Sequence, residues 1–144
     1  MESLYKSLYK IQSTLFLLFW KTWVFHWNVE GINFYEIHKL LDDQYNFMFE
    51  ELDTLSEHIR SYNIKALGPL EILKESSIIS DVEITSNTTE ILTILLDDQQ
   101  LFFEGLKELN DEAVRLNRGD TENLAQQMMT DCGKRIWMLR ASLK

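Results

Sequence analysis

Phe34-Tyr35-Glu36-Ile37-His38-Lys39-Leu40-Leu41-Asp42-Asp43-Gln44-Tyr45-Asn46-Phe47-Met48-Phe49-Glu50-Glu51-Leu52-Asp53-Thr54-Leu55-Ser56-Glu57-His58-Ile59-Arg60-Ser61-Tyr62 is the stretch that decides the fold. It contains no glycine and no proline, and its apolar residues Ile37, Leu41, Met48, Leu52, Leu55 and Ile59 recur at helical steps. That stripe predicts one long helix lying on a core. A second set shares the same helix, offset by one residue: His38, Asp42, Tyr45, Phe49, Asp53, Glu57 and Arg60. It therefore points to the side of the subunit's own core, polar at both ends and aromatic in the middle.

Working outward, three more helices are expected. Leu4, Leu8, Ile11, Leu15, Leu18, Thr22 and Phe25 predict a first helix from about Glu2 to Val29, stopped by Gly31 and Asn33. Ile91, Leu95, Leu101, Phe102, Leu106 and Leu109 predict a third, capped by Ser86 or Asn87 and reaching Leu116. Leu124, Met128, Ile136, Leu139 and Leu143 predict a fourth, opening near Asp120 or Thr121 after the break at Asn117 to Gly119. Between the second and third helices lies a linker, Asn63 to Thr85, which holds the only proline. Pro69 to Ser76 suits a short helix there, because Pro fits a first helical position. Val82 to Ile84 gives the only weak hint of strand. Helices of ~28 residues span roughly 42 Å, so the expected architecture is all-α: a four-helix bundle with a long crossover carrying a short extra helix.

Composition narrows the class. The chain has 144 residues, enough for one domain spanning 1–144 with a real core. A 45% hydrophobic and 26% charged balance is that of a globular domain and argues against disorder. Cys132 is the only cysteine, so no internal disulfide is possible and no oxidising compartment is required. The most apolar run, Leu15 to Trp20, falls far short of the ~18 residues of a membrane span. With no cleavable signal pattern at the N-terminus, the expectation is a cytoplasmic protein without a membrane. The net charge of −9 works against binding DNA, which requires Lys and Arg to neutralise phosphates.

The chemistry concentrates around the first turn. His26 precedes it, His38 and Asp42 follow it at i, i+4, and Asp53 and Glu57 form a second i, i+4 pair. Residues four apart share a helical face one turn above each other, so each pair can flank a metal ion. A solvated helix face provides such pairs as well, and Arg60 could simply partner Glu57 within the helix. The separation is more telling: fifteen residues put His38 and Asp53 ~22 Å apart along the axis but only ~60° apart around it. They cannot hold one ion within a subunit. If two copies of this helix cross antiparallel about a two-fold axis near Phe47 to Phe49, His38 and Asp42 of one approach Asp53 and Glu57 of the other, giving two identical sites. Two imidazoles and three carboxylates without a thiolate suit iron, zinc or manganese. His58, a lone histidine, reads as structural.

The run Phe25-His26-Trp27-Asn28-Val29-Glu30-Gly31 with Asn33-Phe34 resembles the signature of the Dps family, the twelve-subunit mini-ferritins. The likeness continues through His38, Leu41 to Tyr45, Asp53, Glu57 and Ile59-Arg60, and returns at Trp137 to Leu143. The resemblance implies a ferritin-like bundle that assembles into a hollow dodecameric shell. It implies ferroxidase centres between two-fold-related subunits, with His26, His38 and Asp42 from one chain and Asp53 and Glu57 from the other. It further implies Fe(II) oxidation, preferentially by hydrogen peroxide, and storage of ferric mineral, which protects against oxidative damage. Trp27 would lie near the centre, either intercepting radicals or packing at the dimer contact. No Glu-x-x-His motif, the hallmark of di-iron sites held inside one bundle, is present.

Two departures stand out. Many Dps proteins carry a lysine-rich N-terminal extension for DNA, whereas only Lys6 and Lys10 are basic among the first ten residues here, which speaks against direct DNA binding. The family usually has a His-Glu pair where this chain has Cys132-Gly133, and Gly133 should cost the fourth helix about 1 kcal/mol relative to Ala. By the same resemblance Asp120, Glu122 and Asp131 are candidates for lining an iron-entry pore, although Asn123 stands where the family often has aspartate, and Asp120 is also a natural N-cap.

Overall fold

The computed structural model describes residues 1–144 and is entirely helical: α1 (Glu2–Asn28), α2 (Phe34–Ser61), α3 (Leu70–Ser76), α4 (Thr88–Arg115) and α5 (Gly119–Ser142). The four long helices are those expected from the apolar stripes. All seven stripe residues of α1 are buried, as are Ile37, Leu41, Met48, Leu55 and Ile59 of α2. Each such aliphatic side chain contributes roughly 1.5–3 kcal/mol on leaving water. One stripe assignment fails: Leu101 is exposed, and its neighbour Phe102 takes the core position.

Helix α1 is the spine. It packs against α2, α4 and the short α3, while α4 packs against α5. Being enclosed on several sides, α1 buries polar residues as well as apolar ones, and these tie down the crossover. Gln12 donates to the Leu67 carbonyl at 3.1 Å and accepts from the Leu67 amide at 3.0 Å. Thr14 accepts from the Ile78 amide at 2.9 Å, and Lys21 donates to the Ser80 carbonyl at 3.1 Å while facing Asp98 of α4 at 2.6 Å. Gly105 makes room for this strap: a Cβ there would lie 2.6 Å from Ile78 Cδ1 and 3.0 Å from Ile11 Cδ1. The crossover is thus held by hydrogen bonds its own composition did not advertise.

The helix ends differ from expectation in instructive ways. Asn87 caps α4, its side chain accepting from the Glu90 amide at 2.9 Å. Pro69 sits at the cap of α3, one residue before the first turn. Asp120 does not cap α5. Arg118 holds the cap position, and its guanidinium takes the Asp120 carboxylate at 2.8 and 3.1 Å. Asn63 and Asn117 stop α2 and α4 in the left-handed region, at φ 62° and 55°, where Asn is tolerated better than most residues. Val82 to Ile84 joins no strand; the one isolated bridge links Glu30 to Asn87. It fastens the α1–α2 turn to the start of α4, with the Glu30 amide donating to Ser86 at 3.0 Å. Gly31 makes that turn at φ +133°, a conformation L side chains rarely adopt. No helix is long and apolar enough to cross a membrane.

Candidate metal-binding half-sites

The turn at Gly31 brings the end of α1 beside the start of α2, and with it His26 beside His38. Their rings stack with centroids 3.8 Å apart and planes 14° from parallel. Each ring is pinned by the other residue's backbone: His26 Nδ1 donates to the His38 carbonyl at 2.8 Å, and His38 Nδ1 to the His26 carbonyl at 2.7 Å. A carbonyl can only accept, so Nδ1 carries the hydrogen in both rings. In the neutral imidazoles Nε2 then bears the lone pair, the form a metal requires. Phe34 stacks on the outer face of His38 at 4.9 Å and Tyr45 meets His26 edge-on at 5.1 Å, so both planes are walled in.

Asp42 stands one turn beyond His38. Partial burial pulls its carboxyl upward, but hydrogen bonds from Tyr45 and Lys39, with the charges of Lys39 and His26, outweigh this and leave it below the usual carboxylate range. Lys39 lies 3.4 Å from Oδ2, and Asn46 donates to Oδ1 at 3.2 Å. His26 and His38 thus form one fixed and partly enclosed pair, with Asp42 one turn further along α2.

Asp53 and Glu57 are different. Both are exposed, and the close Asp53 carboxylate raises the Glu57 carboxyl above its ordinary value by hydrogen bonding and by repulsion. Arg60 does not partner Glu57; its guanidinium donates to the Ile64 carbonyl at 2.7 Å, closing the end of α2. Fifteen residues of helix separate the two groups, ~22 Å. Within the single chain no three His, Cys, Asp or Glu side chains come together in a metal-holding arrangement.

Between the groups runs an aromatic surface. Tyr45 stacks on Trp23 at 5.6 Å, Trp23 lies 4.8 Å from Trp27 and 5.5 Å from Phe19, and Phe19 lies 5.7 Å from Phe49. Trp27 is 51% exposed and Phe49 55%, an apolar display that water does not favour. Beside Asp53 a shallow groove is lined by Phe16, Phe19, Phe49, Leu52 and Ser56.

The other residues singled out by the sequence make local contacts within the chain. His58 Nε2 bonds Thr121 Oγ1 at 2.8 Å, joining α2 to α5. Asp120 is occupied by Arg118 and Tyr62, Asp131 accepts from Gln127 at 3.3 Å, and Glu122 from Gln126 at 3.4 Å. Asp120 and Asp131 are eleven residues apart on α5, ~16 Å, so the pore candidates do not gather within one chain. Cys132 is buried, its thiol pushed up to about 12 by burial, and it donates to Gln99. Sequence reading missed its surroundings: Arg135 joins Gln99 at 3.1 Å and Glu51 at 3.4 Å inside the bundle. Glu51 and Arg135 sit at core positions of their helices, and that placement was the available signal.

Comparison with known proteins places the fold. The ferritin-like domain model matches residues 5–144. The DNA protection during starvation protein of Helicobacter pylori is 28% identical over 140 residues, covering 96% of this chain and 97% of the relative. The crystal structure of Dps from Staphylococcus aureus superposes with a TM-score of 0.95 at 23% identity, covering 100% of this chain and 97% of that one. That of the Vibrio cholerae O1 Dps protein, described as a member of a broad superfamily of ferritin-like diiron-carboxylate proteins, gives 0.95 at 20% identity, covering 99% and 90%. The chain belongs to the ferritin-like domain family, and within it the similarity runs to Dps proteins over essentially its full length.

Proposed function

We propose that this chain is a mini-ferritin subunit that oxidises Fe(II), with hydrogen peroxide as the preferred oxidant, at sites shared between two-fold-related copies. Ferric product is then stored inside a hollow, twelve-subunit shell in the cytoplasm. The observation that carries this reading is the division of α2 into two incomplete groups. One offers two preset Nε2 lone pairs and an ionised Asp42. The other offers two adjacent carboxylates, Asp53 and Glu57, neither of them ion-paired to a Lys or Arg. An antiparallel crossing of two such helices pairs each histidine group with a carboxylate group and covers the aromatic surface between them.

Iron enters as substrate. Three carboxylates offset the charge of the incoming cations, and the imidazoles supply the softer donors that hold Fe(II) without a thiolate. The proton that Asp53 favours on Glu57 is released when a cation takes its place. Two Fe(II) ions each give one electron to the peroxide; its O–O bond breaks and two protons complete two waters. Pairing both electrons in one event avoids releasing hydroxyl radical.

The test is anaerobic Fe(II) loading followed by peroxide, with ferric absorbance as readout, on the wild type and on His26→Ala/Asp53→Ala. The expected result is rapid oxidation that the double variant lacks; equal rates in the two proteins would sink the assignment. A DNA-condensing role finds less support, since the net charge is −9. Retardation of DNA in a low-salt gel would reverse that ranking.

A further inference from the structure

Among the carboxylates of the two half-sites, only Asp42 has a cationic side chain at hand. Lys39 Nζ, one turn back on α2, donates to Asp42 Oδ2 at 3.4 Å. Asn46, one turn on, donates to Oδ1 at 3.2 Å and to the Asp42 carbonyl at 2.9 Å. Both oxygens of this carboxylate are therefore engaged from within its own helix. Asp53 and Glu57, by contrast, have no Lys or Arg within ion-pairing distance. A divalent cation that reaches Asp42 has to displace a partner.

Which partner gives way follows from how each is held. The Asn46 amide is neutral and is tied to Asp42 twice, through carbonyl and carboxylate, so it neither repels a cation nor has reason to leave. Lys39 is charged, and its side chain is 57% exposed. Its Nζ also lies 3.4 Å from Asp43 Oδ1, the same distance as from Asp42. The two carboxylates stand three and four residues beyond the lysine, the spacings at which helical side chains meet. Lys39 can therefore release Asp42 and keep an ion pair. Asp43 belongs to neither half-site, and its side chain is 68% exposed.

We propose that Lys39 is a displaceable internal counter-ion of the metal site: it holds the Asp42 carboxylate in the metal-free chain and passes to Asp43 when a divalent cation takes Asp42. The inference rests on the metal-site reading above and adds how that site is filled. Lys39 acts through Asp42 and is a positioning residue, not a ligand. Its ammonium carries one charge and competes with any cation for the same oxygen. A doubly charged ion that also draws on the imidazoles outcompetes it. Sodium or potassium, singly charged and without affinity for nitrogen donors, gains nothing over the lysine. The barrier is low, because an exposed ion pair is weak and Asp43 receives the displaced charge.

Calorimetric titration of the assembled, iron-free protein with Zn(II), which accepts the same donors and does no redox chemistry, tests this in a double-mutant cycle. Lys39→Met should tighten Zn(II) about three- to fivefold at low salt, the range an exposed ion pair supplies. Asp43→Asn, which leaves Lys39 no second partner, should weaken Zn(II) by a similar factor. In Lys39→Met/Asp43→Asn there is no lysine for Asp43 to receive, so Asp43→Asn should change little in that background. Charges acting separately through space would add instead. No tightening in Lys39→Met, or additive effects in the double variant, would overturn the proposal. Asp53→Ala separates it from the reading beneath it. Zn(II) binding that this substitution leaves unchanged would remove the shared site and the lysine's role together. Binding that needs Asp53 but ignores Lys39 would remove the lysine's role alone.

Discussion

The two ends of α2 solve opposite problems. At the N-terminal end His26 and His38 lock each other through reciprocal backbone hydrogen bonds, and aromatic rings fix both planes. Their geometry is set before any metal arrives, so little ordering entropy is left to lose on binding. At the C-terminal end Asp53 and Glu57 stand in solvent and repel each other. On the proposed reading, one half-site is built by folding, and the other is left open for assembly and metal to complete. Complementary incompleteness on one helix makes a symmetric partner the natural remedy.

Breaking each end should therefore produce different damage. The largest effect is expected at the open end: Asp53→Ala removes a ligand and should lower Fe(II) oxidation by at least about a hundredfold, since even outer partners of metal ligands are worth 10–100-fold. Its melting temperature should not fall, because an exposed, repelling carboxylate is lost. An Asp53→Ala protein that oxidised iron at the wild-type rate would remove this end from the site.

The preset end should respond through the backbone. Gly31→Ala forces a side chain into φ +133° and should destabilise the fold by about 1–3 kcal/mol, read by urea denaturation. Because the same turn positions both histidines, Fe(II) affinity should fall with it. A destabilised variant of unchanged affinity would show that the histidine pair holds itself without the turn.

A control lies away from both ends. At Gly133 a Cβ would meet nothing within 4 Å, so Gly133→Ala should stabilise the protein by up to about 1 kcal/mol, as a rise in melting temperature of a few degrees. Oxidation should be unaltered; a changed rate would mean that bundle stability itself limits the chemistry.

The smallest effect is a titration. Glu57 is raised by its neighbour, so Asp53→Asn should return its carboxyl toward the ordinary value, followed by carbon-13 NMR. The sign for iron follows. A raised carboxyl keeps its proton to higher pH, so cation binding at this end strengthens as pH rises through the Glu57 value and weakens below it. Asp53→Asn should shift that dependence to lower pH, and an unmoved Glu57 titration would contradict the pairing.

Much of this was legible in the residues. The apolar stripes placed four helices because burial at helical spacing is a strong, local signal, and the offset of His38, Asp42, Asp53 and Glu57 correctly put that face off the core. Asn87 was legible as a cap because its side chain acts within its own turn. What stayed hidden depends on which of several available partners a side chain takes. Asp120 looked like a cap, but Arg118 took the carboxylate. Arg60 looked like the partner of Glu57, but the nearby Ile64 carbonyl outcompeted it. The reciprocal histidine lock involves backbone carbonyls and has no side-chain signature. The Gln44–Glu51–Arg135 cluster was missed because polar residues at core positions read as exceptions to a stripe rather than as a group.

The central claim is that each site takes histidines from one chain and carboxylates from another. Co-assembly of His38→Ala and Asp53→Ala subunits, each inactive alone, tests it directly by stopped-flow Fe(II) oxidation. In a mixed dimer one site is doubly damaged and the other intact, so random pairing should restore about a quarter of wild-type sites. Recovery near that level is the expected result; mixed assemblies as inactive as either parent would contradict sharing.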